Sequence, residues 1–213
     1  MQTPPIQALL FDVGGVILRT EDPAPREALA RQYGMSRADL EKLVFASPAA
    51  LAAERGEADE PAVWDFVART LRLSAPQLTA FREQFWAGDR VDTALLAFLA
   101  EARPRVRTGL LSNAWTRDLR ALLCAFGAPA DLLDRAVEVW LTSSMLGARK
   151  PDPRAFAAAL AHLGASAGQT VFVDDFVENV EGARRAGLVG VHFQTTAQAL
   201  ETLRRLLENA WSR

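Results

Sequence analysis

Two apolar runs at opposite ends of this chain stop abruptly in aspartate. Ala8-Leu9-Leu10-Phe11 gives way to Asp12, and Val171-Phe172-Val173 gives way to Asp174-Asp175. Short continuous apolar runs of this kind suit strands buried inside a sheet. A buried strand ending in unpaired carboxylates is costly, because a desolvated charge is unfavourable unless a cation or hydrogen-bond donors compensate it. Open α/β sheets hold their ligands just beyond the carboxyl ends of parallel strands, so these side chains are expected to meet in one crevice. Three negative charges there call for a divalent cation or a phosphate-handling lysine.

The pattern between the two runs supports such a sheet. Strands are expected over residues 6–13, about 106–111, near 136–141, 171–173 and 189–193. Helices are expected around Leu95–Leu99 and over about 118–126, 153–163, 178–186 and 196–207. Strands alternating with helices of about 10–15 residues indicate an α/β fold, a doubly wound parallel sheet with helices on both faces. The segment from Arg19 to Trp86 differs in texture, with alanine, leucine and charged residues at helical spacing and no convincing strand. Helix starts are expected there near Pro23, at Ser36 with its Asp39 partner, at Glu60-Pro61 and at Ser74-Ala75-Pro76. The expected organisation is a core of residues 1–17 and 88–213 with a helical bundle, 18–87, inserted into it.

Composition excludes several function classes. A formal charge of −2 over 213 residues argues against a basic face for nucleic acid. Arg103, Arg105 and Arg107 are expected to form a solvated strand edge. The single cysteine, Cys124, permits no internal disulfide and no cysteine-based zinc site, and its apolar neighbours suggest a buried helix position. No apolar stretch approaches the roughly 20 residues of a membrane helix. Met1-Gln2-Thr3-Pro4-Pro5 lacks the basic start of a signal peptide, so a cytoplasmic location is expected.

The polar residues at strand ends fall in a particular order: Asp12, Ser112-Asn113, Lys150 and Asp174-Asp175. With their contexts, Leu10-Phe11-Asp12-Val13-Gly14-Gly15-Val16, Leu110-Leu111-Ser112-Asn113, Arg149-Lys150-Pro151-Asp152-Pro153 and Val171-Phe172-Val173-Asp174-Asp175-Phe176-Val177-Glu178-Asn179, the chain resembles the haloacid dehalogenase superfamily. The resemblance is to the branch with a helical cap inserted after the first motif, and it covers essentially the whole length. It implies Asp12 as the nucleophile that forms an aspartyl-phosphate. It further implies that Ser112 and Asn113 bind the phosphoryl group and that Lys150 neutralises both Asp12 and the phosphate oxygens. Mg²⁺ would be held by Asp12, the Gly14 carbonyl and Asp175, with support from Asp174.

Gly14 departs from the common phosphatase pattern of that superfamily, in which a second aspartate protonates the leaving alcohol and later activates water. Such proton transfer is worth ~10²–10⁴-fold in rate. Its loss favours better leaving groups, such as sugar-1-phosphates and acyl or aryl phosphates. Glu21 or Asp22 is a candidate substitute, although solvated linker charges are the plainer reading of both.

Other residues weigh less. Asn179 either faces solvent or belongs to the metal's outer shell. His162 reads as a partly exposed helix residue and His192 as a satisfied sheet histidine, not as a metal pair. Trp64 and Trp86 fit packing of the inserted helices, and Trp115 is expected to line the site entrance. The leading expectation is a Mg²⁺-dependent phosphatase of a small phosphorylated metabolite, sugar phosphates among the candidates, acting as a monomer or homodimer without nucleic-acid or membrane partners. The alternatives are a 2-haloacid dehalogenase using the same aspartate, which Asp174-Asp175 opposes, and a catalytically weak binding or regulatory module, which only Gly14 supports.

Overall fold

The computed structural model describes residues 5–211, the last three by backbone alone. Met1–Pro4 and Ser212–Arg213, and so most of the N-terminal segment considered above, lie outside the described residues. The chain opens with β1 (Ala8–Phe11) and β2 (Leu18–Thr20). Five helices follow: α1 (Ala24–Gln32), α2 (Arg37–Phe45), α3 (Pro48–Glu54), α4 (Glu60–Leu71) and α5 (Ala75–Trp86). Next come β3 (Asp89–Val91), α6 (Thr93–Ala102), β4 (Arg107–Ser112), α7 (Leu119–Ala125), α8 (Ala130–Ala136) and β5 (Val139–Thr142). The last part holds α9 (Ser143–Leu146), α10 (Pro153–Leu163), β6 (Thr170–Asp174), α11 (Val177–Arg185), β7 (Val189–His192) and α12 (Thr196–Trp211).

Five strands form one parallel sheet in the order β5-β4-β1-β6-β7. Every residue of β1 is buried, because helices cover both faces of the sheet. The strand's period of two sorts its side chains: Leu9 and Phe11 enter a layer with Leu95, Leu99 and Leu203, while Ala8 and Leu10 enter the opposite one with Phe156, Leu163 and Ala183. Each large apolar side chain so buried contributes about 1.5–3 kcal/mol. From β1 the chain fills positions on one side with β4 and β5, then crosses to the other side for β6 and β7. That reversal opens a crevice at the carboxyl ends of β1 and its neighbours.

The structure departs from the sequence reading in several places. Leu18–Thr20 is a strand, paired antiparallel with Asp89–Val91, so the inserted segment leaves and returns through a two-stranded ribbon. Three residues per strand are too few to show alternation in sequence. Helices α3, α8 and α9 have seven, seven and four residues, too short for a helical period, and they went unread. Because α8 runs through Ala136, β5 begins three residues later than expected. Cys124 is half-buried, not buried. Arg107 lies on β4, an interior strand, and pairs with Glu138 at 3.1 Å, so the arginines do not mark a sheet edge. The expected Ser36 cap is present, its Oγ accepting from Asp39 N at 3.1 Å.

Helices α1, α2, α4 and α5 pack around a core of Leu29, Leu40, Val44, Trp64, Val67, Phe81 and Phe85, and α3 packs through Ala50 and Ala53 against Val63 of α4. At its base the buried Arg26 guanidinium donates to both oxygens of Asp89 at 3.0 Å and to the Phe85 carbonyl at 3.1 Å. Thr20 Oγ1 donates to the same Asp89 at 2.8 Å, tying the bundle to both strands of the ribbon. Gly88 must be glycine here, since a Cβ would sit 1.8 Å from the Asp22 carbonyl oxygen. Breaking a buried ion pair by removing one partner costs about 3–5 kcal/mol. Arg26→Met should therefore lower the unfolding free energy, measured in denaturant, by roughly that amount. A loss under about 1 kcal/mol would mean that Asp89 rehydrates freely.

Candidate active site

The first apolar run ends where β1 is stitched to β6: Asp12 N donates to the Val173 carbonyl at 2.8 Å. The Asp12 carboxylate then faces the crevice, its Oδ1 accepting from Val13 N at 2.6 Å and from Lys150 Nζ at 2.7 Å. The second run delivers Asp174, fully buried. Its Oδ2 accepts from the same Nζ at 2.7 Å and its Oδ1 from Phe176 N at 2.8 Å. Asn179 is buried as well, and its Nδ2 lies 3.1 Å from each Asp174 oxygen. Asn179 therefore does not face solvent but contacts Asp174.

Lys150 is only 1% exposed, and its ammonium bridges the two carboxylates. Its backbone is held from both sides by one amide, with Lys150 N donating to Asn113 Oδ1 at 2.9 Å and Asn113 Nδ2 donating to the Lys150 carbonyl at 3.0 Å. Asn113 thus positions the lysine loop. Ser112 is buried at the end of β4, one strand away from Asp12.

Asp175 has a different environment. Its Oδ1 is buried without a hydrogen-bond partner. Its carboxylate fills the space beside Gly15, where a Cβ would come within 2.2 Å of Oδ2 and where φ is +80°. His192 Nε2 lies 3.0 Å from the Asp175 carbonyl oxygen, so this histidine has a backbone partner, and His162 is exposed on α10. One oxygen from each of Asp12, Asp174 and Asp175 lies within 4.8 Å of the others.

Three carboxylates against one ammonium leave the cluster two charges negative when all are ionised (−3 + 1 = −2). Burial pushes the Asp12 carboxyl up to about 8, with Lys150 opposing and Asp174 reinforcing the shift. Burial and then Asp174 push Asp175 up to about 6. Burial alone would lower Lys150, but Asp12 and Asp174 outweigh it and hold the ammonium above its ordinary range. The lysine therefore stays charged and the carboxylates carry the strain. An orphaned buried oxygen within a net-negative oxygen cluster is the donor set that a hard divalent cation fits.

The remaining candidates lie further out. Gly14 sits two residues past Asp12 with nothing within 4 Å of where its Cβ would be. Glu21 is half-exposed and paired with Arg19 at 2.5 Å, although it shares a cavity of about 470 Å³ with Gly15 and Asp175. Asp22 accepts from the backbone N of Ala24, the first residue of α1, at 3.0 Å. The Trp115 ring packs 6.0 Å from those of Phe45 and Trp64, half-buried against the bundle. It also lines a second cavity, about 550 Å³, with Gly56, Asp59, Arg117 and Ser144. Sequence reading passed over Arg149 and Glu54, which pair at 2.8 Å beside the lysine. The adjacency of Arg149 to Lys150 was the only signal available for them.

Residues 6–187 match the family profile described as haloacid dehalogenase-like hydrolase. The chain is 33% identical over 190 residues to Phosphatase MT3486 of Mycobacterium tuberculosis, spanning 86% of this chain and 85% of that one. It is 25% identical to the sesquiterpene phosphatase astK of Aspergillus oryzae, over 94% and 96% of the two chains. Among solved structures, the magnesium complex of a haloacid dehalogenase family enzyme, bt-2542 of Bacteroides thetaiotaomicron, superposes with a TM-score of 0.76 at 21% identity, covering 94% of this chain and all of that one. L-2-haloacid dehalogenase of Xanthobacter autotrophicus gives 0.63 at 22%, over 95% and 83%. Both structural likenesses speak to the fold, a parallel α/β core. With the profile spanning most of its length, the chain belongs to the haloacid dehalogenase-like hydrolases and is an enzyme of that family.

Proposed function

We propose that the protein is a Mg²⁺-dependent phosphomonoesterase for a small phosphorylated substrate, with Asp12 as nucleophile. The observation that carries this reading is Lys150, an ammonium held 2.7 Å from both Asp12 and Asp174 inside a crevice that retains net negative charge. Two relatives named as phosphatases agree with it. Asp12, Asp175 and the Gly14 carbonyl would hold the ion, with Asp174 fixing Lys150 and Asn179 fixing Asp174. When bound, Mg²⁺ would supply charge neutralisation to the phosphate oxygens.

The protein's own groups then divide the work. Asp12 attacks phosphorus through a carboxylate oxygen while Lys150 offsets charge on the transferring group. Ser112, buried at the end of β4, would donate its hydroxyl to a phosphoryl oxygen. The bundle of residues 18–87 acts as a cap over the crevice, and its seating keeps water away until the leaving group departs. Catalysis of this kind rests on positioning and electrostatic neutralisation.

The dehalogenase reading draws on Gly14 and on a shared fold. A haloacid brings its own carboxylate, however, and three clustered carboxylates, two of them buried, make a poor host for a fourth. Release of p-nitrophenol from p-nitrophenyl phosphate, dependent on Mg²⁺ and lost in Asp12→Asn, tests the phosphatase. Chloride release from 2-chloropropionate without metal would replace it with the dehalogenase.

A Cβ at Gly14 would meet nothing within 4 Å, so the backbone there accepts a side chain. Gly14→Asp should raise turnover of alkyl phosphates by about 10²-fold and that of aryl phosphates far less, because aryl oxygen leaves without a proton. Equal effects on both classes would show that no general acid is missing. The raised carboxyls set a further outcome. Their protons are bound in the folded state and released from the unfolded one, so the stability they contribute is present at low pH and lost as pH rises through about 6 for Asp175 and about 8 for Asp12. Metal-free protein should melt at progressively lower temperature across that window, and added Mg²⁺ should restore more stability at its upper end than at its lower. A metal-free melting temperature that climbs with pH would contradict this electrostatic picture.

A further inference from the structure

The bundle and the sheet domain meet at a seam some way from the ribbon, and charge crosses that seam beside the lysine. Glu54 closes α3 and is buried, only 7% exposed. Its Oε2 accepts from Arg149 Nε at 2.8 Å. Arg149 immediately precedes Lys150, on the loop between α9 and α10. The seam is tight: Gly56, at φ +74°, lies so close to α9 that a Cβ would stand 2.6 Å from the Ser144 carbonyl oxygen. Trp115, three residues past Ser112, adds an aromatic contact with Phe45 and Trp64 of the bundle.

Resting on the phosphatase reading above, we infer that Glu54 is a positioning residue, borne by the bundle, that acts on Lys150 through Arg149. A buried carboxylate needs its cation, so Glu54 favours the arrangement in which α3 sits against the lysine loop. If the bundle lifts, Glu54 regains water and the Arg149 side chain loses its anchor. The backbone of Lys150 is then gripped by Asn113 alone, while its ammonium must still meet Asp12 and Asp174 together. Seating of the bundle and placement of the charge-neutralising lysine thus become one event. Burial raises the Glu54 carboxyl against the pull of Arg149, consistent with a site that is dry when seated.

The test uses the full chain with Mg²⁺ and p-nitrophenyl phosphate. Glu54→Gln keeps the shape and removes the charge. Its kcat should fall about tenfold while KM stays within about twofold, since the lysine acts on the transition state more than on bound substrate. Its melting temperature should stay close to that of the wild type. The exchanged pair, Glu54→Lys with Arg149→Glu, should recover most of the lost kcat relative to either single change, as coupled residues do. A Glu54→Gln enzyme with unchanged kcat would overturn the inference. So would an exchanged pair no better than its worse single variant. A wild type without Mg²⁺-dependent turnover would instead sink the phosphatase reading beneath it.

Discussion

One ammonium group organises this molecule's functional end. Lys150 sits in a pocket from which water is excluded, and it is held there because Asp12 and Asp174 approach it equally, at 2.7 Å. Both carboxylates are buried at the ends of their strands, and the ammonium offsets part of the desolvation penalty that burial imposes. The lysine lets two apolar strands finish in acid. Its own position depends on Asn113, which holds its peptide group from both sides, and so on β4. Three adjacent strands of the sheet, β4, β1 and β6, thus converge through a single side chain. The third carboxylate, Asp175, lies outside this arrangement and keeps an oxygen without a partner.

The inserted bundle is joined to the sheet domain at the ribbon and beside the lysine loop, and Trp86 also packs on Phe126. At the ribbon, Arg26 and Thr20 meet on Asp89, while Arg19 reaches Asp92 at 2.7 Å and Thr196 donates to the same carboxylate. At the far seam, Glu54 and Gly56 meet Arg149 and Ser144. The attachment is therefore built from buried polar contacts as well as from apolar packing. Such contacts are strongly directional, so they define a particular seated arrangement more sharply than greasy surfaces would.

What could be read in the sequence follows from how local each signal was. Val171-Phe172-Val173 followed by two aspartates announces a strand and its functional end within a few residues, and β1 does the same. Helix α10 is bounded by Pro153 and Gly164, so its limits were visible. Helices α3, α8 and α9 were not, because one or two turns carry no period that stands above chance. The ribbon was missed for the same reason, compounded by the 68 residues that separate Thr20 from Asp89. Within the site, Asp12, Ser112, Lys150 and the acidic pair were legible from motif order. The grip of Asn113 on the lysine backbone and the pairing of Glu54 with Arg149 were not, since each depends on a partner from another part of the chain.

Gly15 shows how far such long-range dependence can reach. The atom that every other residue type would place there coincides with the carboxylate of Asp175, 160 positions downstream (175 − 15). What the chain tolerates at one position is therefore dictated by the volume at the other, and the two should drift together or not at all. A library randomised at residue 15 would be nearly monochrome beside Asp175. It would admit variety only where residue 175 had first become smaller, and even then chiefly types that accept a left-handed backbone.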